Sequence, residues 1–509
     1  GFKAKWGGKT DPFVDFLLQP TPSAETITED ELLLVWKGPW TLVSTADATM
    51  KHFPEYIALR DANRAEYDKE DFLALKIFFE LAWFDPDFLQ GPVTMPDGSV
   101  TRVHEWLNRS GDIYTLKVPP SEQLALDLLI ENHKIMRNVI AIHKKLFYDM
   151  DTGKGQVEVT TTPMYHPILP LIYNTDLMGT SQPFDPKPDP AFSFPEDASA
   201  QVLRSVAFYE DVFGVKPRGI WCGEGSVAEE IVPILTEAGF EWTATDHEVL
   251  KRSLGNDNAP VYKAYRVDDD AKTGPADSEM LILFRHTDLS DRMGFEYKTW
   301  KGVDAAQDFI DDLVEMAPSL GGDDRLVTVV LDGENAWEAY TQEHDAKGFL
   351  HALYTKLSEA YETGEISTVT ASEYIHGNPS RAIAAHPIGS HTELEPLWPG
   401  SWIGATYAVW IGELEENKAW EYLLKARTDL QASGLAPPNP LAPAPTNLDS
   451  LAGRIYRAYD QIYAAEGSDW FWWYGVDQTT PSNDDSPFDL AFRSQLLGMY
   501  EHMNAALSL

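Results

Sequence analysis

The chain is nearly without cysteine, since Cys222 is the only one among 509 residues. A single thiol excludes an internal disulfide framework and any metal site built from several thiolates. Long apolar runs are also missing, so neither a membrane-spanning segment nor a secretory signal is indicated. The sequence begins at Gly1 rather than Met, and we expect a preceding segment, with any targeting signal, to be absent from it. Secretion and cytoplasmic residence are left equally open.

Basic residues are scarce, because 40 Lys and Arg stand against 80 Asp and Glu, for a net charge of -40. Such a surface repels phosphate backbones and anionic lipid, which argues against nucleic acid and membrane partners. The acidic residues are spread along the chain and are typical of a solvated surface. No cofactor is predicted to be required. A structural calcium ion is left open in so acidic a chain, although no EF-hand-type loop occurs.

Aromatic residues, in contrast, are abundant, with 16 Trp, 21 Tyr and 23 Phe. Aromatic rings stack well on flat ligands such as sugar rings, but large hydrophobic cores also use them. Composition by itself favours a role for these residues in the hydrophobic core over a role in sugar binding.

The pattern of apolar residues divides the chain into three parts. Up to about residue 150 it is mainly helical, as in DFLALKIFFELAWF. From about residue 155, short β-rich runs alternate with helical patterns, which predicts βα units and a parallel sheet or barrel. These runs are QVEVTTT, GIW, EWTATD, MLILF and LVTVVL. From about residue 400 the helical pattern returns, interrupted by a proline-rich connector at 436–447.

The stretch GIWCGEGSVAEE places Glu224 in a loop after a short strand. Ser226 and Glu229 form a capping-box pattern, which predicts a helix from about Val227 to Ala238. Glu224 then lies at the C-terminal end of a strand, the end that carries active sites in α/β barrels. A solvated loop glutamate is the alternative. Cys222 lacks the surroundings of a nucleophile and is expected to pack in the core.

A second acidic residue follows a β-rich run in RLVTVVLDGENAWEAY, where Asp332 comes directly after the run. Two carboxylates at the tips of two strands suit glycoside hydrolysis, in which one attacks the sugar and the other protonates the leaving oxygen. An ordinary Asp-Gly turn is the alternative.

Two further segments carry candidate binding residues. His166 follows QVEVTTT between rigid residues and suits either a hydrogen bond to a sugar hydroxyl or a structural role. Asp469, Trp470 and Trp472 lie in EGSDWFWWYG. That segment is equally typical of a sugar-stacking platform and of a hydrophobic seam between helices.

Together these segments resemble glycoside hydrolase family 57, the α-glucan-active family that includes amylopullulanases. Its W-x-x-E-x-S segment, with the catalytic glutamate, matches residues 221–226, and its D-G-E-N-x-W-E segment, with the catalytic aspartate, matches residues 332–338. Other family-like runs are TTPMYHPILPLI, FRHTDLSDRMGFEY, PLWPGSWIGA and DWFWWYG. The family's His-Gln-Pro motif on the first barrel strand does not occur, which also leads us to expect a missing N-terminal segment.

The resemblance implies an α/β fold, an incomplete (β/α)7 barrel with helical insertions and a mostly α-helical C-terminal domain. We expect a catalytic part at 1–390 and a helical part, contributing to the active site, at 391–509. The resemblance implies a retaining mechanism with Glu224 as nucleophile and Asp332 as acid/base. The residues expected to bind substrate are His166, Trp221, Asp246, Trp337, Trp402, Asp469, Trp470 and Trp472.

Three functions remain open at this stage. The first is a hydrolase of α-1,4 or α-1,6 bonds, or both, in starch or pullulan, of the amylopullulanase, pullulanase or α-amylase type. The second is a 4-α-glucanotransferase, which passes the same intermediate to a sugar hydroxyl. The third is a non-catalytic α-glucan-binding protein. A metal-dependent deacetylase would need a clustered Asp/His ligand set, and the 13 histidines provide no pattern for one.

Overall fold

The computed structural model describes residues 12–38, 41–43, 47–268, 279–320, 325–333, 337–340, 342, 345–480 and 484–509. The chain divides into two compact units that interleave along the sequence. Unit 1 comprises the described part of Gly1–Leu146 with Met293–Asp312 and Asp332–Ile366, and unit 2 comprises Phe147–Arg292, Leu313–Leu331 and Ser367–Leu509. The domain boundary expected at residue 390 stays a prediction.

Helices and strands are numbered in chain order over the described residues. The strands are β1 (Leu107–Ser110), β2 (Ile113–Leu116), β3 (Gly219–Ile220), β4 (Trp242–Asp246), β5 (Tyr265–Asp268) and β6 (Glu279–Arg285). The helices up to residue 300 are α1 (Pro12–Leu18), α2 (Glu29–Leu32), α3 (Asp47–Met50), α4 (Pro54–Asp61), α5 (Lys69–Ala82), α6 (Pro86–Gln90), α7 (Glu122–Leu146), α8 (Leu169–Tyr173), α9 (Met178–Ser181), α10 (Pro195–Phe213), α11 (Val232–Glu237), α12 (His247–Leu254) and α13 (Thr287–Asp291). The remaining helices are α14 (Gly302–Met316), α15 (Lys347–Thr363), α16 (Ala371–His376), α17 (Leu414–Ala432), α18 (Leu451–Ala465), α19 (Asp469–Trp473) and α20 (Ser486–Leu507).

Unit 1 is built largely of helices around its own core, as the sequence predicts for the first 150 residues. Helix α5 begins after Asp68, whose carboxylate accepts the backbone N–H groups of Glu70 and Asp71 and so caps the helix. Its buried face includes Phe72 and Leu75, and it packs against α7. The strands β1 and β2 form an antiparallel hairpin.

Unit 2 contains a sheet in the order β3-β4-β6-β5, in which β3, β4 and β6 are parallel. Parallel pairing extends further through two isolated bridges, Thr161 with Ile220 and Arg285 with Thr328. The five β-rich runs predicted from the sequence therefore lie side by side in the same order as in the chain, and helices connect them. This is the wall of the predicted incomplete α/β barrel, and the fold class is confirmed. QVEVTTT forms two isolated bridges, at Val157 and Thr161, and LVTVVL forms one, at Thr328, rather than full strands.

The C-terminal part of unit 2 is helical, as predicted, and packs on the same core. The ring of Trp420 on α17 stacks on Phe471 of α19 with centroids 4.4 Å apart. The proline-rich connector at 436–447 joins α17 to α18 without helix or strand. Over the described ranges, no helix is both long and apolar enough to cross a membrane.

Candidate active site

Glu224 lies in a tight 3-10 turn, Gly223–Gly225, that follows β3 at its C-terminal end. Its backbone is left-handed, with φ 55° and ψ 31°. A non-glycine residue in this region costs on the order of 1 kcal/mol or more, and it persists only where surrounding contacts hold it. Glu224 is half-buried. The strained turn therefore fixes a carboxylate at the edge of the sheet where barrel enzymes place their chemistry.

The two glycines of this turn are required by close packing on both sides. A Cβ on Gly223 would lie 2.4 Å from the carbonyl oxygen of Pro167. A Cβ on Gly225, which has φ 58°, would lie 2.8 Å from the Trp221 ring. The Gly225 carbonyl accepts a hydrogen bond of 2.6 Å from Thr245 on β4. The turn is thus held between the segment that carries His166 and the ring of Trp221.

The helix predicted from Val227, with Ser226 as its cap, begins later than expected. Val227 forms an antiparallel bridge with Gly400, and both backbone hydrogen bonds of that bridge are made, at 2.8 and 3.0 Å. This pairing holds Val227 extended. A 3-10 turn at Glu229–Ile231 follows and only then α11, so Ser226 does not cap a helix.

The Val227–Gly400 bridge places Trp402 against Glu224. The indole Nε1 donates a hydrogen bond of 2.9 Å to Oε2 of Glu224, and the backbone N–H of Trp402 donates to the Glu224 carbonyl at 3.0 Å. The Trp402 ring also meets Trp221 edge-on, with centroids 5.1 Å apart. The structure therefore brings together three of the predicted site residues, and Trp402 contacts the candidate nucleophile directly.

Asp246 ends β4 at the same edge of the sheet and is buried. One of its oxygens accepts the backbone N–H of Glu248, and the other is 3.2 Å from Nη1 of Arg285, whose guanidinium also lies over the Trp402 ring at 5.8 Å. Burial raises the pKa of Asp246 above its usual range, while the Glu248 N–H and Arg285 act in the opposite direction. All of these contacts are made within the protein, so they do not test the expected contact between Asp246 and substrate. That contact stays a prediction.

His166 follows Thr161, the residue that bridges to Ile220 of β3, and it lies beside the Glu224 turn. Its carbonyl oxygen would be 3.2 Å from a Cβ on Gly223, so its backbone packs against the Glu224 turn. Its Nδ1 is 2.9 Å from the hydroxyl of Ser468. The side chain is half-buried.

The aromatic segment EGSDWFWWYG follows α18 and includes α19. Trp470 and Trp472 are partly buried against the main core of unit 2, and Trp472 lies 5.8 Å from the ring of Trp410. Asp469 is exposed at the start of α19. These contacts favour a hydrophobic seam for the two rings, and sugar binding by this segment stays a prediction.

Asp332 and Trp337 belong to unit 1, whereas Glu224 belongs to unit 2. Asp332 is half-buried and follows the run that bridges to β6 through Thr328. Trp337 is half-buried and meets Tyr340 edge-on at 5.3 Å. The intervening residues 334–336 lie outside the described residues. The pairing of Asp332 with Glu224 therefore stays a prediction.

Three residues that contact the site did not stand out from the sequence: Thr245, Arg285 and Ser468. Arg285 lies in FRHTDLSDRMGFEY, a run singled out for its family-like character, and Ser468 directly precedes Asp469. Arg285 and Ser468 therefore lie in segments that the sequence had already indicated as candidates.

Over the described ranges, no group of three or more His, Cys, Asp or Glu residues is placed to hold a metal ion. The cofactor expectation stays a prediction.

Comparison with solved structures finds distant similarity to several enzymes, at low identity. The chain is similar to the GH57 branching enzymes of Thermococcus kodakaraensis (15% identity, 75% of this chain and 70% of that chain, TM-score 0.49) and Pyrococcus horikoshii (16%, 75% and 69%, 0.49). It is similar as well to an alpha-amylase of Thermotoga maritima (15%, 76% and 76%, 0.46). No curated protein matches the chain.

The family model described as "Glycosyl hydrolase family 57" matches residues 50–387, which is well over half of the chain. The match includes both segments that carry the candidate carboxylates, and it agrees with the resemblance found in the motifs. The chain therefore belongs to glycosyl hydrolase family 57.

Proposed function

We propose that the chain is a retaining, α-glucan-active glycosidase in which Glu224 is the nucleophile and Asp332 the general acid/base. The observation that carries the proposal is the setting of Glu224. A glutamate is held in a left-handed turn at the C-terminal end of a parallel strand, and its carboxylate accepts a hydrogen bond from the Trp402 indole. A solvated glutamate in an ordinary surface loop would require neither the left-handed backbone nor the indole hydrogen bond.

In this mechanism a carboxylate oxygen of Glu224 attacks the anomeric carbon, while Asp332 gives its proton to the departing glycosidic oxygen. The bond to the leaving sugar breaks, and a covalent glycosyl-enzyme forms. Asp332, now ionised, takes a proton from water, and the resulting hydroxide displaces Glu224 with net retention. The Trp402 N–H orients the carboxylate for attack. Its ring and that of Trp221 offer apolar faces to a sugar.

The substrate class follows from the family-like motifs, which point to α-glucans with α-1,4 bonds, α-1,6 bonds, or both. The amylopullulanase, pullulanase and α-amylase types differ in which of these bonds they cleave. Incubation with starch, pullulan and maltooligosaccharides, followed by product analysis, separates them. Longer chains without a rise in reducing ends would instead indicate a 4-α-glucanotransferase. Binding without turnover would indicate a glucan-binding protein and overturn the proposal.

Two variants test the roles of the carboxylates. We expect Glu224→Gln and Asp332→Asn each to lower kcat by a factor of about 10³ or more, because each removes a group that acts in the transition state. Glu237→Gln is a matched control, since Glu237 is an exposed residue on α11. In Glu224→Gly, added azide should occupy the space of the lost carboxylate and yield a glycosyl azide of inverted configuration. Activity retained in Glu224→Gln would refute the two-carboxylate mechanism.

A further inference from the structure

Tyr165 and His166 share an unusual backbone that needs support from elsewhere in unit 2. Both are left-handed, with φ 61° and 54°. Two consecutive non-glycine residues in this region are costly, on the order of 1–2 kcal/mol each, unless surrounding contacts hold them. The local sequence supplies one such contact, the 3.0 Å hydrogen bond from the His166 N–H to the Pro163 carbonyl.

Most of the support comes from the turn between α18 and α19, about 300 residues later in the chain. The backbone N–H of Ser468 donates to the His166 carbonyl at 3.1 Å, and the Ser468 hydroxyl lies 2.9 Å from His166 Nδ1. Gly467 permits this approach, because a Cβ there would lie 2.7 Å from the Tyr165 carbonyl oxygen. Ser468 is buried, so its hydroxyl is committed to the protein interior.

A second contact fixes the neighbouring tyrosine. The Tyr165 hydroxyl donates to Asp460 at 2.8 Å, and Asp460 in turn is paired with Arg204 at 2.5 Å. The Arg204 guanidinium lies over the Tyr165 ring, 5.6 Å from its centroid. Tyr165 is thus held from helices α10 and α18, and His166 from Ser468, which follows α18.

We propose that Ser468 is a positioning residue of the active site, which acts by holding the His166 ring with Nδ1 engaged. The two ring nitrogens of a histidine are chemically distinct, and the partner of one decides which role is left to the other. With Nδ1 engaged by the serine hydroxyl, Nε2 is the ring nitrogen left for a sugar hydroxyl. The His166 backbone also packs on the turn of Glu224, so a shift of His166 is transmitted to that turn. This inference rests on the proposed α-glucan function.

The first test is kinetic. We expect Ser468→Ala to lower kcat/KM on maltooligosaccharides about tenfold, because His166 loses its fixed orientation, and Ser468→Thr, which keeps the hydroxyl, to recover most of the loss. In the His166→Ala background, Ser468→Ala should have no further effect, since its influence passes through the histidine. Additive losses, or an unchanged kcat/KM in Ser468→Ala, would overturn the proposal.

A matched control separates this role from a purely structural one. Ser450 caps the other end of α18 by accepting the Gly453 N–H at 3.1 Å. We expect Ser450→Ala to lower Tm while leaving kcat/KM within twofold. An equal loss of kcat/KM in Ser450→Ala and Ser468→Ala would indicate that only the stability of α18 matters.

The second test does not depend on catalysis. In protein labelled with 15N-histidine, the ring nitrogens of His166, identified by their absence in His166→Ala, report its tautomer. Ser468→Ala should change these two shifts and Ser450→Ala should not. Unchanged shifts in Ser468→Ala would overturn the contact itself. A wild-type protein inactive on α-glucans would overturn the proposed function and the catalytic part of this inference, while the shifts would still judge the contact.

Discussion

The indole Nε1 of Trp402 lies 2.9 Å from Oε2 of Glu224, although the two residues are 178 positions apart. The contact depends on the bridge between Val227 and Gly400, which aligns the two loops. Trp402 was expected to bind substrate. Its hydrogen bond leads us to expect another role, which is to orient the carboxylate that we propose as nucleophile.

This contact predicts the effect of Trp402→Phe. Phenylalanine keeps an aromatic ring but removes the N–H donor, and a hydrogen bond to a charged group contributes about 1.5–3 kcal/mol. We expect kcat/KM on maltooligosaccharides to fall about tenfold or more. Trp398→Phe is the matched control, because the indole of Trp398 donates to the carbonyl of Ala405 rather than to Glu224. Equal losses in the two variants would argue against a direct role for Trp402.

The close packing of Gly223 makes a second prediction. A Cβ at this position would lie 2.4 Å from a backbone oxygen of Pro167, so Gly223→Ala must displace the turn that carries Glu224. Overpacking of this kind costs about 1–3 kcal/mol. We expect a lower Tm and a loss of activity beyond what the lower stability explains. Gly179→Ala, where a Cβ would meet no atom within 4 Å, should retain activity. Full activity of Gly223→Ala would mean that the turn tolerates movement.

The buried Cys222 makes a third prediction, on thiol chemistry. Burial raises the pKa of the Cys222 thiol to about 12, so very little thiolate exists at neutral pH. We expect the native protein to resist iodoacetamide at about pH 8 and to be alkylated only after unfolding, as mass spectrometry can show. Rapid alkylation of the native protein with loss of activity would revive Cys222 as a functional residue.

A fourth prediction concerns stability and pH, through Glu416 on α17. This carboxyl is fully buried and accepts the backbone N–H of Glu413 at 2.8 Å. Burial raises its pKa to about 8, and nearby acidic residues add to the effect. Since the pKa is higher in the folded state than in the unfolded chain, the protonated form favours folding. Stability is lost as pH rises from about 4.5 through 8.

Glu416→Gln removes this titration but keeps the oxygen that accepts the Glu413 N–H. We expect the Tm of the variant to equal that of the wild type near pH 4 and to exceed it increasingly up to about pH 9, as measured by calorimetry. Glu421→Gln, at a more exposed position on the same helix, should leave the pH dependence unchanged. A constant difference between variant and wild type across the pH range would contradict the prediction.

Local patterns were sufficient for much of the fold. The runs GIW and EWTATD contain strands β3 and β4, MLILF lies within β6, and the amphipathic pattern DFLALKIFFELAWF lies mostly in helix α5. The start of the helix after Ser226 was predicted too early. The capping pattern is local, but the bridge to Gly400 holds Val227 extended and overrides it.

The sequence by itself determined that parallel βα units follow one another and that Glu224 lies just beyond a strand, because these features depend on neighbouring residues. It also determined the family, through the segments that carry the two candidate carboxylates. Only the tertiary structure decided that the Trp402 indole donates to Glu224, that Arg285 pairs with Asp246, and that the Ser468 hydroxyl contacts His166. Such contacts join residues far apart in the chain, and they form only where packing of the whole unit brings those side chains within hydrogen-bond distance.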